Sequence, residues 1–166
     1  MQIDISIIIA VYNNTSWLKM IFNMLQQQTY KAFEVVIADD GSSQESIHAI
    51  EQMIKEVSFP VQHVWHEDNG WQKDIILNKA VVASKGEYLV FLDGDCIPDN
   101  NFVKDHYNLR QHGMVIGGRR VQLPQKLSDM LSPELVANGF LKRTPLYLLF
   151  CKESHSENVL RVPLRI

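Results

Sequence analysis

Two aspartates that flank a glycine, Asp93 and Asp95, come directly after the apolar segment YLVFL. In an extended segment, residues i and i+2 point to the same side, so both carboxylates face one space. Two hard oxygen ligands on one side suit Mg²⁺ or Mn²⁺, which keeps its other positions for water and phosphate oxygens. Gly94 leaves room there for a ligand to approach the backbone. An Asp-Gly-Asp sequence is also a common surface turn, but its place after a buried strand favours a divalent-metal site.

A second pair of acids, Asp39 and Asp40, ends the apolar segment VVIA and is followed by a glycine and two serines. A carboxylate at the end of a strand can accept hydrogen bonds from a base or a sugar. In the alternative interpretation, Asp40 together with Ser42 or Ser43 caps the next helix. One acid could cap while the other binds, so both interpretations stay open.

Short segments rich in β-branched residues alternate with segments of helical periodicity along most of the chain. This alternation predicts an α/β fold, a Rossmann-like and mostly parallel sheet with helices on both faces. Ligands of such sheets bind at the carboxyl ends of the strands, where the acidic turns lie. Thr15 or Ser16 is expected to cap the first helix. Strands are predicted to begin near residues 3, 33, 60 and 87, with a short one over 114–118, and helices are predicted over 16–28, 44–57, 72–83, 101–112, 127–140 and 145–151.

The composition is that of an ordinary globular protein. Of the 166 residues, 46% are hydrophobic and 21% are charged, which excludes a disordered or fibrous chain. A formal net charge of -3 argues against a nucleic-acid partner, because such binding needs an excess of Lys and Arg. Cys96 and Cys151 lack the spacing of a disulfide framework or zinc site, and the N-terminus lacks the pattern of a signal peptide. We therefore expect a cytoplasmic protein.

Two histidines and two tryptophans around the third predicted strand suggest other kinds of site. His63 and His66 are three residues apart on that strand and so point to opposite faces, which argues against a shared metal. Trp65 and Trp71 are expected to lie in the core rather than to form a platform for a sugar ring. These four residues are therefore left out of the predicted site.

Three segments, taken in order and at their spacing, resemble one protein family. They are VYNN (11–14), VVIADDGSS (35–43) and HEDNGWQKDIILNKAVVASKGEYLVFLDGDCIPDNNFV (66–103). The set resembles the bacterial family-2 glycosyltransferases of GT-A fold, especially those that assemble surface polysaccharide and lipopolysaccharide. The resemblance implies a nucleotide-sugar-binding core over residues 1–121 and the start of an acceptor-side region, incomplete, over 122–166.

The resemblance also implies a role for each matching residue. Asp39 would receive the base, Lys73 would contact a phosphate, and Asn78 would support the pocket. Asp93 would lie beside the ribose and diphosphate, while Cys96 stands where many relatives have a third acid. The implied nucleotide-binding residues are Ala10, Val11, Tyr12, Asn13, Asp39, Asn69, Gly70, Lys73, Asp93 and Gly94, and the implied metal ligand is Asp95, which would hold Mn²⁺ or Mg²⁺.

The reaction implied by the resemblance is transfer of a sugar from a nucleoside-diphosphate sugar, expected to be a UDP-sugar, to a hydroxyl group. The acceptor would be a glycan or a lipid-linked molecule, and the anomeric configuration would invert. A divalent cation would neutralise charge that grows on the diphosphate as the sugar leaves. The full-length enzyme is expected to act in the cytoplasm, at the inner face of the membrane, with peripheral membrane association.

Other function classes fit the residues less well. A phospho-receiver domain also uses an aspartate pair and Mg²⁺, but its acids should follow the first strand, where this chain has Tyr12 and Asn13. An oxidoreductase that binds a dinucleotide would carry G-x-G-x-x-G there, and a nucleotidyltransferase a Gly-rich phosphate loop. The alternative that stays open is a non-catalytic fragment that binds nucleotide sugars.

An inverting transferase needs a carboxylate base that takes the proton from the acceptor hydroxyl. In the family that this chain resembles, the base comes from a second acidic motif downstream, often Glu-Asp. Glu134, Glu153 and Glu157 are isolated acids and none of them belongs to such a pair. The catalytic base is therefore expected to be absent from this chain, which should bind a nucleotide sugar but transfer it negligibly.

Overall fold

The computed structural model describes residues 2–118, 120 and 123–140. The chain divides into two compact units, Met1–Ile116 and Gly117–Ile166. Across the described ranges, each helix is too short or too polar to span a bilayer. The first unit contains β1 (Ile5–Val11), α1 (Thr15–Gln26), β2 (Phe33–Asp39), α2 (Gln44–Glu56), β3 (Val61–Trp65), α3 (Lys73–Ala83), β4 (Tyr88–Asp93) and α4 (Phe102–Leu109), and the second contains α5 (Gln125–Met130) and α6 (Pro133–Ala137).

The four strands form one sheet in the order β3-β2-β1-β4, and every neighbouring pair is parallel. In the central strand β1, the adjacent residues Ile7 and Ile8 are both fully buried. A strand that is buried on both faces must be apolar without alternation, which is the pattern of its sequence ISIIIAV. The parallel α/β fold predicted from the sequence is therefore confirmed.

Helices cover both faces of the sheet. On one face, Ile7 and Ile9 of β1 belong to a cluster with Leu18 and Ile21 of α1 and Ile50 of α2. Each of these side chains is fully buried, and burial of one such side chain stabilises the fold by roughly 1.5 to 3 kcal/mol.

The opposite face carries a smaller cluster. Ile8 of β1 and Val36 and Ala38 of β2 pack there against Ile76 and Ala80 of α3. Since α3 begins directly after the loop that follows β3, this packing fixes where that loop lies relative to the strand ends.

Three predicted elements differ from the structure. Residues 114–118 form no strand: Met114 is 61% exposed and Val115 is 98% exposed, and the Met114 N–H donates to the Gln111 carbonyl of the preceding turn. The helix predicted over 127–140 is instead two short helices, because Pro133 begins α6 after the Ser132 hydroxyl caps it. The helix predicted over 145–151 lies outside the described residues.

Helix capping agrees with the sequence interpretation for α2 but not for α1. The helix α1 begins at Thr15, and its N-cap residue is Asn14, which makes no side-chain cap bond. The expectation that Thr15 or Ser16 caps it is therefore wrong. For α2, the Ser43 hydroxyl accepts a hydrogen bond from the Ser46 N–H, as one of the two interpretations required.

A buried carboxylate joins three strands at the amino ends of the sheet. Glu34 on β2 is fully buried and accepts hydrogen bonds from the Ser6 hydroxyl (2.7 Å) and the Gln62 side-chain amide (2.9 Å). It also accepts one from the Lys85 N–H (2.6 Å), while the Gly86 N–H donates to the Ser6 hydroxyl (2.8 Å). The network therefore fixes the point at which the chain enters β4.

We expect Glu34→Ala to lower the free energy of unfolding by about 3 kcal/mol, because Ser6, Gln62 and the Lys85 N–H lose their acceptor. Glu34→Gln keeps one acceptor oxygen and should cost about 1 to 2 kcal/mol. Glu51→Ala, on an exposed position of α2, is the control and should change the value by about 0.5 kcal/mol or less. Urea unfolding measures all three, and equal losses at positions 34 and 51 would contradict the assigned role.

Candidate functional site

The site lies where three parallel strands end side by side. In the strand register, Val11 is opposite Asp39 on β2, and Ala10 is opposite Asp93 on β4. The chain runs from β1 to β2 on one side of β1 and later adds β4 on the other side, so the strand order reverses at β1. Ligands of open parallel sheets bind in the crevice that such a reversal leaves at the carboxyl ends.

A cavity of about 280 Å³ occupies this position. Its wall combines the end of β1, the turn after β2, the loop after β3 and the start of α3. Five residues that the sequence placed at the nucleotide line it, and five further residues were not assigned to nucleotide binding. The lining residues are Ala10, Val11, Tyr12, Ala38, Asp40, Asp68, Gly70, Trp71, Lys73 and Ile76.

Asp39 lies beneath this surface. It is fully buried, and its two carboxylate oxygens accept hydrogen bonds from the Ser42 N–H (2.9 Å) and from Nε2 of His63 (2.8 Å). Burial alone would raise the pKa of Asp39, but the bonds from His63 and Ser42 outweigh it and hold the pKa below its ordinary value. The carboxylate is thus ionised and held by protein donors.

Of the two adjacent acids, Asp40 rather than Asp39 lines the cavity. Its Oδ1 accepts a hydrogen bond from Nε2 of His66 (2.8 Å) and its Oδ2 accepts one from the Gln72 N–H (3.1 Å). His63 and His66 therefore bond different carboxylates and do not converge on one position. Sequence reasoning missed both pairs, although β3 as a parallel neighbour of β2 brings the two segments together.

Asn13 connects the end of β1 to the turn after β2. Its backbone has the left-handed φ of 52°, and its N–H donates to the Ser42 hydroxyl (2.8 Å). Its side-chain oxygen accepts hydrogen bonds from the Ser43 N–H (2.9 Å) and the Ser46 hydroxyl (3.1 Å). Asn13 thus shapes the rim next to the cavity. Asn69, which is also exposed, donates to the Glu67 carbonyl (3.3 Å).

The loop after β3 closes on Tyr12 and Gly41. The Tyr12 hydroxyl donates to Asp68 (3.1 Å), and this bond raises the pKa of Tyr12 above its ordinary value. Gly41 has a φ of 95°, and a Cβ there would lie 2.6 Å from the Asp68 Cα. Only glycine allows the turn and the loop to approach this closely.

Asp93, Asp95 and Cys96 bring their ligand atoms within 4.8 Å of one another. Both aspartates are exposed, and Lys73 of α3 donates to Asp93 Oδ1 at 2.9 Å. The two carboxylates supply hard oxygen donors, whereas the Cys96 thiol is a soft donor. The chemistry of the two acids fits Mg²⁺ or Mn²⁺, and the lysine provides a cation that a phosphate oxygen could share.

Gly94 serves the packing of this acidic turn against β1. The side of Gly94 that lacks a Cβ faces the Ala10 carbonyl rather than open space, since a Cβ would lie 2.3 Å from that oxygen. The expected clearance for a ligand is therefore filled by backbone. The glycine lets the acidic turn lie directly on the end of β1.

A buried glutamine, which sequence reasoning missed, anchors the segment after the acidic turn. Gln28 is 1% exposed, and its side chain donates to the Asp99 carbonyl (2.5 Å) and accepts from the Val103 N–H (3.0 Å). The next residue, Thr29, donates its N–H to the Asn100 carbonyl (3.0 Å). The sequence offered one signal for this role, because Gln28 is a polar residue in the last turn of the amphipathic helix predicted over 16–28.

The two tryptophans are not core residues, and the expectation that they would be is wrong. Trp71 is 87% exposed on the cavity rim, and Trp65 is 42% exposed with its Nε1–H donating to the Ser42 carbonyl at 3.2 Å. Trp65 ends β3 and Trp71 precedes α3, so neither side chain is covered by the helices that bury the strands.

Other residues named from the sequence lie elsewhere. Asn78 is exposed on α3 beside Ile75, Lys79 and Val82, away from the cavity lining. Glu134 lies in the first turn of α6, within the second unit. Glu153 and Glu157 fall outside the described residues.

A family model described as Glycosyl transferase family 2 matches residues 6–155. The glycosyltransferase GlyG of Streptococcus pneumoniae serotype 4 is 26% identical over 103 residues, which are 62% of this chain and 34% of GlyG. The chondroitin synthase of Escherichia coli is 31% identical over 108 residues, which are 63% of this chain and 15% of the synthase.

Among solved structures, S. aureus TarS 1-349 in complex with UDP-GlcNAc is similar with a TM-score of 0.52 and 25% identity. The match covers 64% of this chain and 30% of the TarS chain. This likeness confirms the GT-A fold expected from the sequence. The chain spans about a third or less of the length of these three proteins.

The lowered pKa of Asp39 predicts how stability depends on pH. An acid with a folded pKa below its unfolded value stabilises the fold above about pH 4, and this contribution is lost as the pH falls through the folded value. We expect Asp39→Asn to lower the free energy of unfolding at about pH 7, and the gap to wild type to shrink below about pH 4. Urea unfolding across this range measures the gap, with Asp105→Asn on α4 as an exposed control. A gap that does not change with pH would contradict the prediction.

Proposed function

Because the chain belongs to glycosyl transferase family 2, we propose that its cavity binds the nucleoside diphosphate of a sugar donor. The complete enzyme then transfers the sugar to a hydroxyl group of an acceptor. The observation that carries this proposal is the pair of exposed carboxylates, Asp93 and Asp95, of which Asp93 bonds Lys73, a residue of the cavity wall. An anionic ligand could contact both the Lys73 ammonium group and a metal ion held by the two carboxylates.

The charges around Lys73 support placement of the diphosphate beside this residue. Lys73 lines the cavity and its Nζ lies 2.9 Å from Asp93 Oδ1, at positions where both side chains remain partly exposed. An exposed pair of this kind is worth little by itself, so its partners can be exchanged at small cost. A phosphate oxygen can then pair with Lys73 while a metal ion binds Asp93.

We propose that Asp95 and Asp93 hold Mn²⁺ or Mg²⁺, with Asp95 as the main ligand. Bound there, the cation neutralises charge that develops on the departing diphosphate. Asp93, which bonds Lys73, would then lie beside the ribose and diphosphate. Packing of Gly94 on the Ala10 carbonyl keeps this turn next to β1.

We propose that the base and ribose lie against the aromatic part of the cavity wall. Tyr12 is 54% exposed and Trp71 is 87% exposed, and both line the wall, so each offers an aromatic face to a planar base. Ala10, Val11 and Gly70 provide small or backbone surface between them. Asp39 is buried in the turn after β2, and the Asn13 N–H bonds Ser42 of the same turn; we propose that Asp39 contacts the base.

A UDP-sugar is the donor that we propose, because TarS was solved with UDP-GlcNAc and shares this fold. We further propose a glycan or a lipid-linked molecule as the acceptor, and an inverting reaction in which a carboxylate base accepts the hydroxyl proton. No residue of this chain is assigned as that catalytic base. An acceptor of this kind is consistent with a cytoplasmic enzyme that associates with the membrane surface.

The first test uses the metal. We expect UDP to raise the melting temperature more in the presence of Mn²⁺ than in EDTA, because a cation held by the carboxylates would also attract the diphosphate. Asp95→Ala should abolish the metal-dependent part of the shift, and Asp105→Asn on α4 should retain it. Equal shifts with and without Mn²⁺ in the wild-type chain would contradict the metal site.

The second test uses the exposed indole. Trp71→Ala should weaken UDP binding by about 1 to 3 kcal/mol, the range measured when an aromatic residue that stacks on a base is removed. Trp71→Phe keeps a ring and should recover most of the affinity. Trp17→Phe on α1, away from the cavity lining, serves as the control in the same calorimetric titration. Unchanged affinity in Trp71→Ala would remove Trp71 from the site.

A further inference from the structure

The loop after β3, residues 66–72, is tied at both of its ends to a single carboxylate. At the first end, Nε2–H of His66 donates to Asp40 Oδ1 at 2.8 Å. At the last end, the Gln72 N–H donates to Asp40 Oδ2 at 3.1 Å. Both oxygens of Asp40 are thus engaged by the segment, here called the pocket loop, that carries Gly70 and Trp71 into the cavity wall.

We propose that Asp40 is a positioning residue that holds the pocket loop in its binding conformation, and that His66 holds Asp40 in turn. The proposal rests on the proposed function, because the conformation that matters is the one that receives the nucleotide. In this proposal, Asp40 neither contacts the base nor caps α2.

The hydrogen bonds of His66 define its tautomer. A carboxylate can only accept, so the Nε2 that faces Asp40 carries the hydrogen. Its Nδ1 lies 3.2 Å from Nζ of Lys79, which can only donate, so Nδ1 accepts. Lys79 on α3 therefore keeps the ring oriented with its N–H towards Asp40. A series of hydrogen bonds thus runs from Lys79 through His66 to Asp40, which also accepts from the Gln72 N–H.

The middle of the pocket loop is held by Tyr12 and lies close to the turn that contains Asp40. Tyr12 donates to Asp68, and Asp68 Oδ1 accepts from the Gly70 N–H at 3.0 Å. Gly41, next to Asp40, has no side chain and lets the backbone at Asp68 come close. Neither of these hydrogen bonds involves Trp71 or Gln72, so loss of the Asp40 bonds would release the end of the loop that carries Trp71. The sheet below keeps its own hydrogen bonds.

The test compares His66→Phe with His66→Gln. Gln retains an N–H that can donate to Asp40, whereas Phe retains only the ring shape. His48→Phe, at an exposed position of α2, is the matched control. The first readout is hydrogen exchange of the Gln72 amide in the ligand-free chain, followed by NMR together with the amides of Ile7 and Ile37 in the sheet.

We expect Gln72 to exchange about tenfold faster in His66→Phe, the factor that corresponds to one lost hydrogen bond. The sheet amides should be unaffected, and His66→Gln and His48→Phe should resemble the wild type at every amide. The second readout is UDP affinity, which should fall about tenfold in His66→Phe and recover in His66→Gln.

Two results would overturn the proposal. One is an unchanged Gln72 exchange rate in His66→Phe. The other is an equal acceleration of Gln72, Ile7 and Ile37, which would assign the pair to global stability. A wild-type chain that binds no UDP would overturn the proposed function, yet the exchange rates would still decide whether Asp40 and His66 hold the loop.

Discussion

The reversal of strand order at β1 is the constraint on which the site depends. β1 is buried on both faces, and the chain leaves it towards β2 on one side and later adds β4 on its other side. Val11 is level with Asp39 and Ala10 with Asp93, which brings two acidic turns to one crevice. Because the Ala10 carbonyl occupies the space at Gly94, the second turn cannot move away from β1 without loss of packing.

Burial and the surrounding hydrogen-bond donors determine the different roles of the four aspartates at the ends of β2 and β4. Asp39 is fully buried and is held by protein groups, while Asp40, one residue later, holds a loop. Asp93 and Asp95 remain exposed, and among the bonds described the Asp93 carboxylate accepts one only from Lys73. A carboxylate whose oxygens are already satisfied stabilises the fold, and one that faces solvent can accept a ligand.

The alternation of apolar strands and amphipathic helices was enough to predict the parallel sheet and the position of the acidic turns, because both depend on local periodicity. Pairing of His63 with Asp39 and of His66 with Asp40 depends on the alignment of β2 with β3, which no local pattern encodes. Exposure of Trp71 likewise depends on where α3 begins and not on residue type. For the same reason the apolar run 114–118 was mistaken for a strand, since it has no paired neighbour.

The exposure of Trp71 also gives the protein an intrinsic optical reporter. The chain contains three tryptophans, and Trp71 is largely exposed, whereas Trp65 is partly shielded and bonded through its Nε1. Indole emission shifts to shorter wavelength when water is displaced from the ring, so occupancy of the cavity would change the colour of the emitted light mainly through this one residue. Ligand titrations could then be followed without a label, with acrylamide quenching to separate the exposed ring from the shielded ones.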